Sequence, residues 1–274
     1  MQGANSRNDD NLKRPSVMGE NRGFLEYFEI IGQFQYPAAC ISINLLVSDE
    51  EESKEIYNAL PNIITRYRSV TLVTGGIGDG VDRDTRHRPE LQKNRRRTLA
   101  MLRNQLLLKS LRDEDYVAWI DADVTHIPGH LLHDMIDSKK DIVIPRCNMA
   151  NNAEYDANTW KGPRAYPNAT EMLHLRETGL YVPHPTPETK FLRDFETANH
   201  RFVEVDSVGG TFLFLKAAVH RDGVIFPPMH IVGTDWTMTE GFDGIESEGL
   251  CYMARGIGYR CWGMPQPQDF VRHV

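Results

Sequence analysis

Long apolar runs are missing from this chain of 274 residues. No stretch reaches transmembrane length, and the first apolar segment, Phe24 to Ile31, is interrupted by Glu26 and Glu29. That excludes a signal-peptide core, so the chain as written reads as soluble. Positive charge is not in excess either: Lys and Arg number 31 against 38 Asp and Glu, for a net charge of −7. Such a balance argues against nucleic acid or an anionic membrane surface as partner. Cysteine is scarce. The four present, Cys40, Cys147, Cys251 and Cys261, show no CxxC spacing and no matching histidine pair, which argues against zinc and leaves disulfide pairing open. A dinucleotide fingerprint is also lacking. In Gly75-Gly76-Ile77-Gly78-Asp79-Gly80 the third glycine is misplaced, and Val81 to Arg88 is no helix start, so a mobile loop is expected there.

What is present points to one α/β domain. Residues 1–23 are polar and are expected to form a disordered tail, with the folded domain spanning 24–274. The domain is organised around Asp115 to Pro145. Tyr116 to Ile120 is a short aromatic and β-branched strand, followed by Asp121 and Asp123, a Pro-Gly turn, a helix, and a second buried strand ending at Pro145. This is a βαβ unit, and ligands collect beyond the strand ends of such sheets. Asp121 and Asp123 are two residues apart, so an extended backbone points both carboxylates to one side. There they repel unless a hard divalent cation such as Mn²⁺ or Mg²⁺ lies between them.

Around that unit the spacing predicts helices over Phe24 to Phe34, Asp49 to Arg66, Pro89 to Leu111 and Ile245 to Gly256. Strands are expected over Cys40 to Val47, Val70 to Val73, Arg201 to Val205, Thr211 to Leu215 and Tyr259 to Gly263, followed by a tail carrying His273. In Pro89 to Leu111 the apolar stripe is Leu91, Leu99, Leu102 and Leu106. Most of its arginines read as a solvated face, whereas Arg103 sits at the stripe's margin, placed to bind a phosphate or an aspartate. Arg146 to Asn199 reads as loops with an interrupted helix or two. Within it, Tyr155 to Trp160 suits either sugar stacking or a packing anchor. Gly209 and Gly210 serve turn geometry or the close approach of a ligand to the backbone.

The acidic strand end supports two enzyme classes. Asp121-Ala122-Asp123-Val124-Thr125 matches the DxDxT motif of haloacid-dehalogenase-type phosphatases, with a nucleophile followed by a general acid, although two strand-helix units precede it here. Asp-x-Asp is also the metal site of nucleotide-sugar glycosyltransferases, a weak signal on its own.

Eight stretches in order favour the second class. They are YFEIIGQFQYP with ISINLLVSD, RPELQKNRRRTLAMLRNQLL, YVAWIDADVTHIP, KDIVIPRC, YDANTW, VDSVGGTFLFLKAAVHRDGVIFP, IESEGLCYMARGIGY, and GMP followed by VRH. From about Phe24 to His273 the chain resembles the fungal mannan-polymerase subunit family, glycosyltransferase family 62, which are Golgi α-mannosyltransferases with a GT-A fold. The resemblance implies a GT-A-like, Rossmann-related α/β domain with a mixed central sheet. It implies Mn²⁺ or Mg²⁺ held by Asp121, Asp123 and His273, and GDP-mannose as donor, bound with help from Arg103, Gly209 and Gly210. It further implies retention of configuration and transfer, α-1,6 by type, to a mannan or N-glycan acceptor. Asp206, Glu246 and Glu248 are the acids to test as acceptor contacts or bases. Golgi location and related mannosyltransferase subunits as partners follow from the same likeness, and a non-catalytic subunit is the alternative from another class. The family pattern places a first strand and a membrane anchor before Phe24, where this sequence is polar; if that strand is absent, guanine recognition is in doubt and the sheet has an uncovered edge. Met229 to Gly244 reads as a local insertion, and Asn168-Ala169-Thr170 is a glycosylation sequon.

Overall fold

Short β-branched and aromatic runs become strands here, and the longer charged stretches between them become covering helices. A computed structural model describes residues 24–47, 50–74, 88–165, 168–178, 185–231 and 244–274. The expected N-terminal tail, the glycine-rich loop over residues 75–87 and most of the insertion from Met229 to Gly244 lie outside these.

In chain order the elements are α1 (Phe24–Ile31), β1 (Ser42–Val47), α2 (Glu50–Ala59), β2 (Ser69–Thr74), α3 (Pro89–Ser110), β3 (Tyr116–Ile120), β4 (Val124–His126), α4 (Leu131–Asp137), β5 (Ile142–Pro145), β6 (Cys147–Met149) and β7 (Trp160–Lys161). Then follow α5 (Ala169–Thr178), β8 (Lys190–Phe191), β9 (Val203–Val205), β10 (Phe212–Lys216), α6 (Ala217–Arg221), α7 (Ser247–Gly256), β11 (Cys261–Met264) and β12 (Val271–His273). The helix expected over Asp49 to Arg66 is shorter. It stops at Ala59 and continues as two 3₁₀ turns, Leu60–Asn62 and Ile64–Arg66, because Pro61 cannot donate to the preceding turn.

A five-stranded mixed sheet runs in the order β3-β10-β5-β11-β9. Strands β3 and β5, expected as neighbours of one βαβ unit, are separated by β10, which is antiparallel to both. Phe212 to Leu215 are each 1% exposed or less, and this most apolar strand takes an interior place in the sheet, covered on both faces. A disulfide between Cys251 and Cys261 ties α7 to β11, while Cys40 and Cys147 are free.

Three smaller sheets accompany the five-stranded sheet, the shortest being the antiparallel pair β7-β8. Strand β12 lies between β4 and β6, antiparallel to the first and parallel to the second. The segment read as a tail is therefore a strand paired on both edges, and its last residue, His273, is buried. The parallel pair β1-β2 stands apart from the main sheet. Between β1 and β3 lies a cavity of about 650 Å³, lined by Ile41 to Leu45 on one side and Asp115 to Ile120 on the other.

Candidate active site

Beyond Ile120 the backbone leaves the extended conformation. The Val124 amide donates to the Asp121 carbonyl at 3.3 Å, closing a turn over Asp121 and Asp123. Strand alternation therefore does not align the two carboxylates, contrary to expectation, and each meets a different partner. Asp121 accepts from Arg103 Nη2 at 2.8 Å. Asp123 Oδ1 lies 3.0 Å from His273 Nε2, which β12 delivers from the far end of the chain.

Arg103 reaches the site because α3 turns inward the face that carries Arg96, Ala100, Arg103 and Leu107. Ala100 and Leu107 are buried, and the spacings of four, three and four place all of these residues on one side. The predicted leucine stripe lies beside this face rather than on it. Two arginines are accommodated because α7 and the residue before it present two buried acids. Arg103 bonds Glu246 through Nη1, and Arg96 pairs with Glu248 at 3.1 Å. Arg96, expected to be solvated, is thus half-buried and paired with a buried acid. Glu246 has φ 68, a strained conformation for a residue with a side chain, and its amide donates to Pro227 O at 2.9 Å.

Of the three acids named for acceptor contacts, Glu246 alone joins the Arg103–Asp121 group. Glu248 is committed to Arg96. Asp206 accepts from the Gly162 amide at 2.7 Å and from Arg255 at 2.5 Å, so it braces β7 against α7.

Gly209 and Gly210 have a further reason to lack side chains. A Cβ on Gly209 would lie 1.7 Å from the Asp156 carboxylate, and one on Gly210 would lie 2.7 Å from the Arg103 guanidinium. The two glycines make room for side chains of their own protein. Asp156, which the sequence reading passed over, also accepts from the Thr211 amide at 3.3 Å. Its neighbours clamp the same corner. The Gly209 amide donates to Thr159 Oγ1 at 3.0 Å, and the Tyr155 ring stacks on His273 with centroids 3.7 Å apart. Trp160, in contrast, is a packing anchor, 4% exposed. The missed signal was an acid inside YDANTW facing a double glycine.

The electrostatics follow from crowding. Burial raises Asp121 to about 6, helped by the charges of Asp123 and Glu246 and opposed by Arg103. Burial likewise raises Asp156, against hydrogen bonds from Thr211 and Asn158. At His273 burial works downward, but the hydrogen bond and charge of Asp123 outweigh it and the imidazole is raised.

Asp123 and His273 fit two neighbouring ligands of a hard cation. An oxygen and an imidazole nitrogen 3.0 Å apart match adjacent ligands of an octahedral ion with bonds of roughly 2.1 Å. The His273 Nδ1 lies 3.1 Å from the Val274 main-chain oxygen, which leaves Nε2 as the ligating atom. Asp121 is held by Arg103 instead, and the ligand atoms of Asp121, Asp123 and His273 do not all lie within 4.8 Å of one another. Among the described residues, the potential ligands lying within 4.8 Å of one another are those of His130, Asp134 and Asp269. There Arg201 already bonds Asp134 at 2.5 Å and Asp269 at 2.7 Å, so a guanidinium supplies the positive charge.

The Anp1 family model matches residues 7–230 of the chain. The mannan polymerase complex subunit mnn9 of Schizosaccharomyces pombe is 27% identical over 265 residues, covering 89% of this chain and 75% of the relative. The Candida albicans subunit MNN9 is 25% identical, covering 88% and 69%. The VAN1 subunit of the Saccharomyces cerevisiae mannan polymerase I complex is 27% identical, covering 73% and 38%. Among solved structures, the mannosyltransferase PcManGT from Pyrobaculum calidifontis, in complex with GDP-Man and Mn²⁺, aligns with a TM-score of 0.50 at 12% identity, over 91% of this chain and 52% of that one. At that identity the likeness is one of fold, and the fold is GT-A-like, as expected. No helix among the described residues is long and apolar enough to cross a membrane.

Proposed function

The chain belongs to the Anp1 family of fungal mannan-polymerase subunits, and on that premise we propose that it is a metal-dependent, retaining mannosyltransferase. It moves mannose from GDP-mannose to a mannan or N-glycan acceptor, by α-1,6 transfer, in the Golgi alongside related subunits. The observation that carries this reading is the meeting of His273 Nε2 with Asp123 Oδ1 at 3.0 Å, one turn away from Asp121. A solved mannosyltransferase of similar fold, holding GDP-Man and Mn²⁺, supports it.

Asp123 and His273, with Asp121, would hold the cation, which when bound would supply positive charge to the leaving diphosphate. Arg103, positioned by Glu246 and Gly210, adds a guanidinium for the same oxygens. Tyr155 stacks on His273 and fixes the plane of the ring. None of the described side chains stands free as an obvious covalent nucleophile, which favours attack by the acceptor hydroxyl on the face the diphosphate vacates.

The phosphatase reading loses its context. Strand β3 is an edge strand paired with an antiparallel neighbour, not part of a parallel array. A non-catalytic subunit is the competing reading, because the relatives are named as complex subunits. Incubation with Mn²⁺ and GDP-mannose, or with a phosphomonoester, separates the three. Release of GDP that disappears in Asp123→Ala supports the transferase. Phosphate release points to the phosphatase, and silence in both assays leaves the subunit role.

A further inference from the structure

Arg103 is held by more than the acids it bonds. Its guanidinium also lies over the Phe226 ring, 5.3 Å from the centroid, as a cation on an aromatic face. Phe226 is fully buried, and the Trp119 ring meets it edge to face with centroids 5.1 Å apart. The next residue, Pro227, offers the carbonyl that accepts from the Glu246 amide at 2.9 Å. Two of the groups around Arg103, the ring and the Glu246 carboxylate, therefore hang on one dipeptide in the loop after α6.

Asn104 fixes that dipeptide. Its Nδ2 donates to the Phe226 carbonyl at 2.7 Å, and its Oδ1 accepts from the Phe226 amide at 2.9 Å. One side chain thus takes both main-chain groups of one residue, which requires a donor and an acceptor at the same short end. Asn104 follows Arg103 on α3, so the helix sends the two side chains roughly 100° apart. One goes to the acids and the other to the segment that positions one of those acids. Glu246 has φ 68, a conformation that persists only where the surroundings over-determine it, and its amide is tied to Pro227. A bond pair that merely stapled α3 to a loop would need no particular neighbour. This one starts beside Arg103, and both of its outputs return to the guanidinium.

Resting on the mannosyltransferase reading, we propose that Asn104 is a positioning residue for the reaction. By holding Phe226 and Pro227 it sets the aromatic floor and the Glu246 carboxylate, and through them the aim of the Arg103 guanidinium at the leaving diphosphate. Asn104 itself meets neither nucleotide nor cation.

The test is Asn104→Leu, close in size and without either bond, made in two backgrounds. One keeps Arg103; the other carries Arg103→Lys, which retains a charge for Glu246 but has no planar fork to aim. With Mn²⁺ saturating, calorimetric affinity for GDP falls on the order of ten- to a hundredfold in Asn104→Leu alone. Affinity for Mn²⁺ by itself does not fall, since Asp123 and His273 lie outside the Asn104 bonds. In the Arg103→Lys background the same substitution changes GDP affinity by about twofold at most, the non-additivity expected of residues acting through one group. A plain staple predicts a lower melting temperature with GDP affinity of the folded protein unchanged, or an equal loss in both backgrounds, and either result overturns the proposal. Should Asn104→Leu fail to fold, Asn104→Gln, with the same amide on a longer stem, carries the comparison. A GDP loss present with Arg103 and absent with Arg103→Lys supports the role, and no such difference overturns it. If the unmodified protein binds Mn²⁺ but not GDP, the mannosyltransferase reading itself fails and this role with it; GDP binding that ignores Asn104 sinks the role alone.

Discussion

His273 Nε2 lies 3.0 Å from Asp123 Oδ1, although more than half the chain separates them in sequence. The contact exists because β12 inserts between β4 and β6. Replacing the imidazole removes one ligand while leaving the backbone ladder in place. His273→Ala therefore weakens Mn²⁺ binding by tenfold or more, on the order of what metal-site substitutions cost, with far-UV circular dichroism unchanged. Equal calorimetric affinity in both proteins would remove His273 from the site.

Metal binding should depend on pH in a defined direction. Asp121 is raised to about 6, so below that value a cation must displace its proton, and apparent Mn²⁺ affinity falls about tenfold per pH unit. His273, raised by Asp123, adds a second proton to displace and steepens the fall. Calorimetry from pH 5 to 8 tests this, and a flat profile would contradict it.

Arg103 is only 14% exposed at its side chain and answers two acids. Arg103→Leu leaves Glu246 buried without a counter-charge and lowers stability by about 3 kcal/mol. Removing both partners in Arg103→Leu/Glu246→Leu restores part of the loss. Urea unfolding of the four proteins in the cycle measures the coupling.

The sequence announced the strands better than their neighbours. Tyr116 to Ile120 and Thr211 to Leu215 declare themselves by β-branched and aromatic content, yet nothing local says that β10 comes between β3 and β5. Pairing is decided by which strand needs cover on both faces. The spacing of Asp121 and Asp123 suggested a cation site, but the turn that parts them was not legible, because alternation assumes an extended backbone. Within these residues the role of His273 came only through family likeness; an imidazole near a chain end carries no local signal. Asp156 stayed hidden for a different reason. Its importance arises from the missing Cβ of a residue far away in sequence, and an absence of side chain at Gly209 has several equally good local explanations.

The glycine corner makes a suppression test available. Gly209→Ala drives a methyl into the Asp156 carboxylate, 1.7 Å away, and costs about 1–3 kcal/mol. In an Asp156→Ala background the obstacle is absent and most of that penalty disappears. Additive losses in the double variant would show that the two residues do not meet.

The Cys251–Cys261 bridge closes a loop of sequence separation 10 between α7 and β11. Reduction removes about 2–3 kcal/mol by the chain-entropy relation. Since α7 follows Glu246 and carries Glu248, dithiothreitol should lower the melting temperature and loosen Arg103 together. Thermal melts with and without reductant check the first, and Mn²⁺-dependent turnover the second.

The cavity between β1 and β3 has a practical consequence at the bench. Two rows of peptide groups, Ile41 to Leu45 and Asp115 to Ile120, border it, and neither strand has a second ladder partner among the described residues. Such margins invite any extended polypeptide to zip onto them. Concentrated solutions of these 274 residues should grow oligomers with protein concentration, and light scattering should record less growth once Val117→Lys puts a charge beside the open seam.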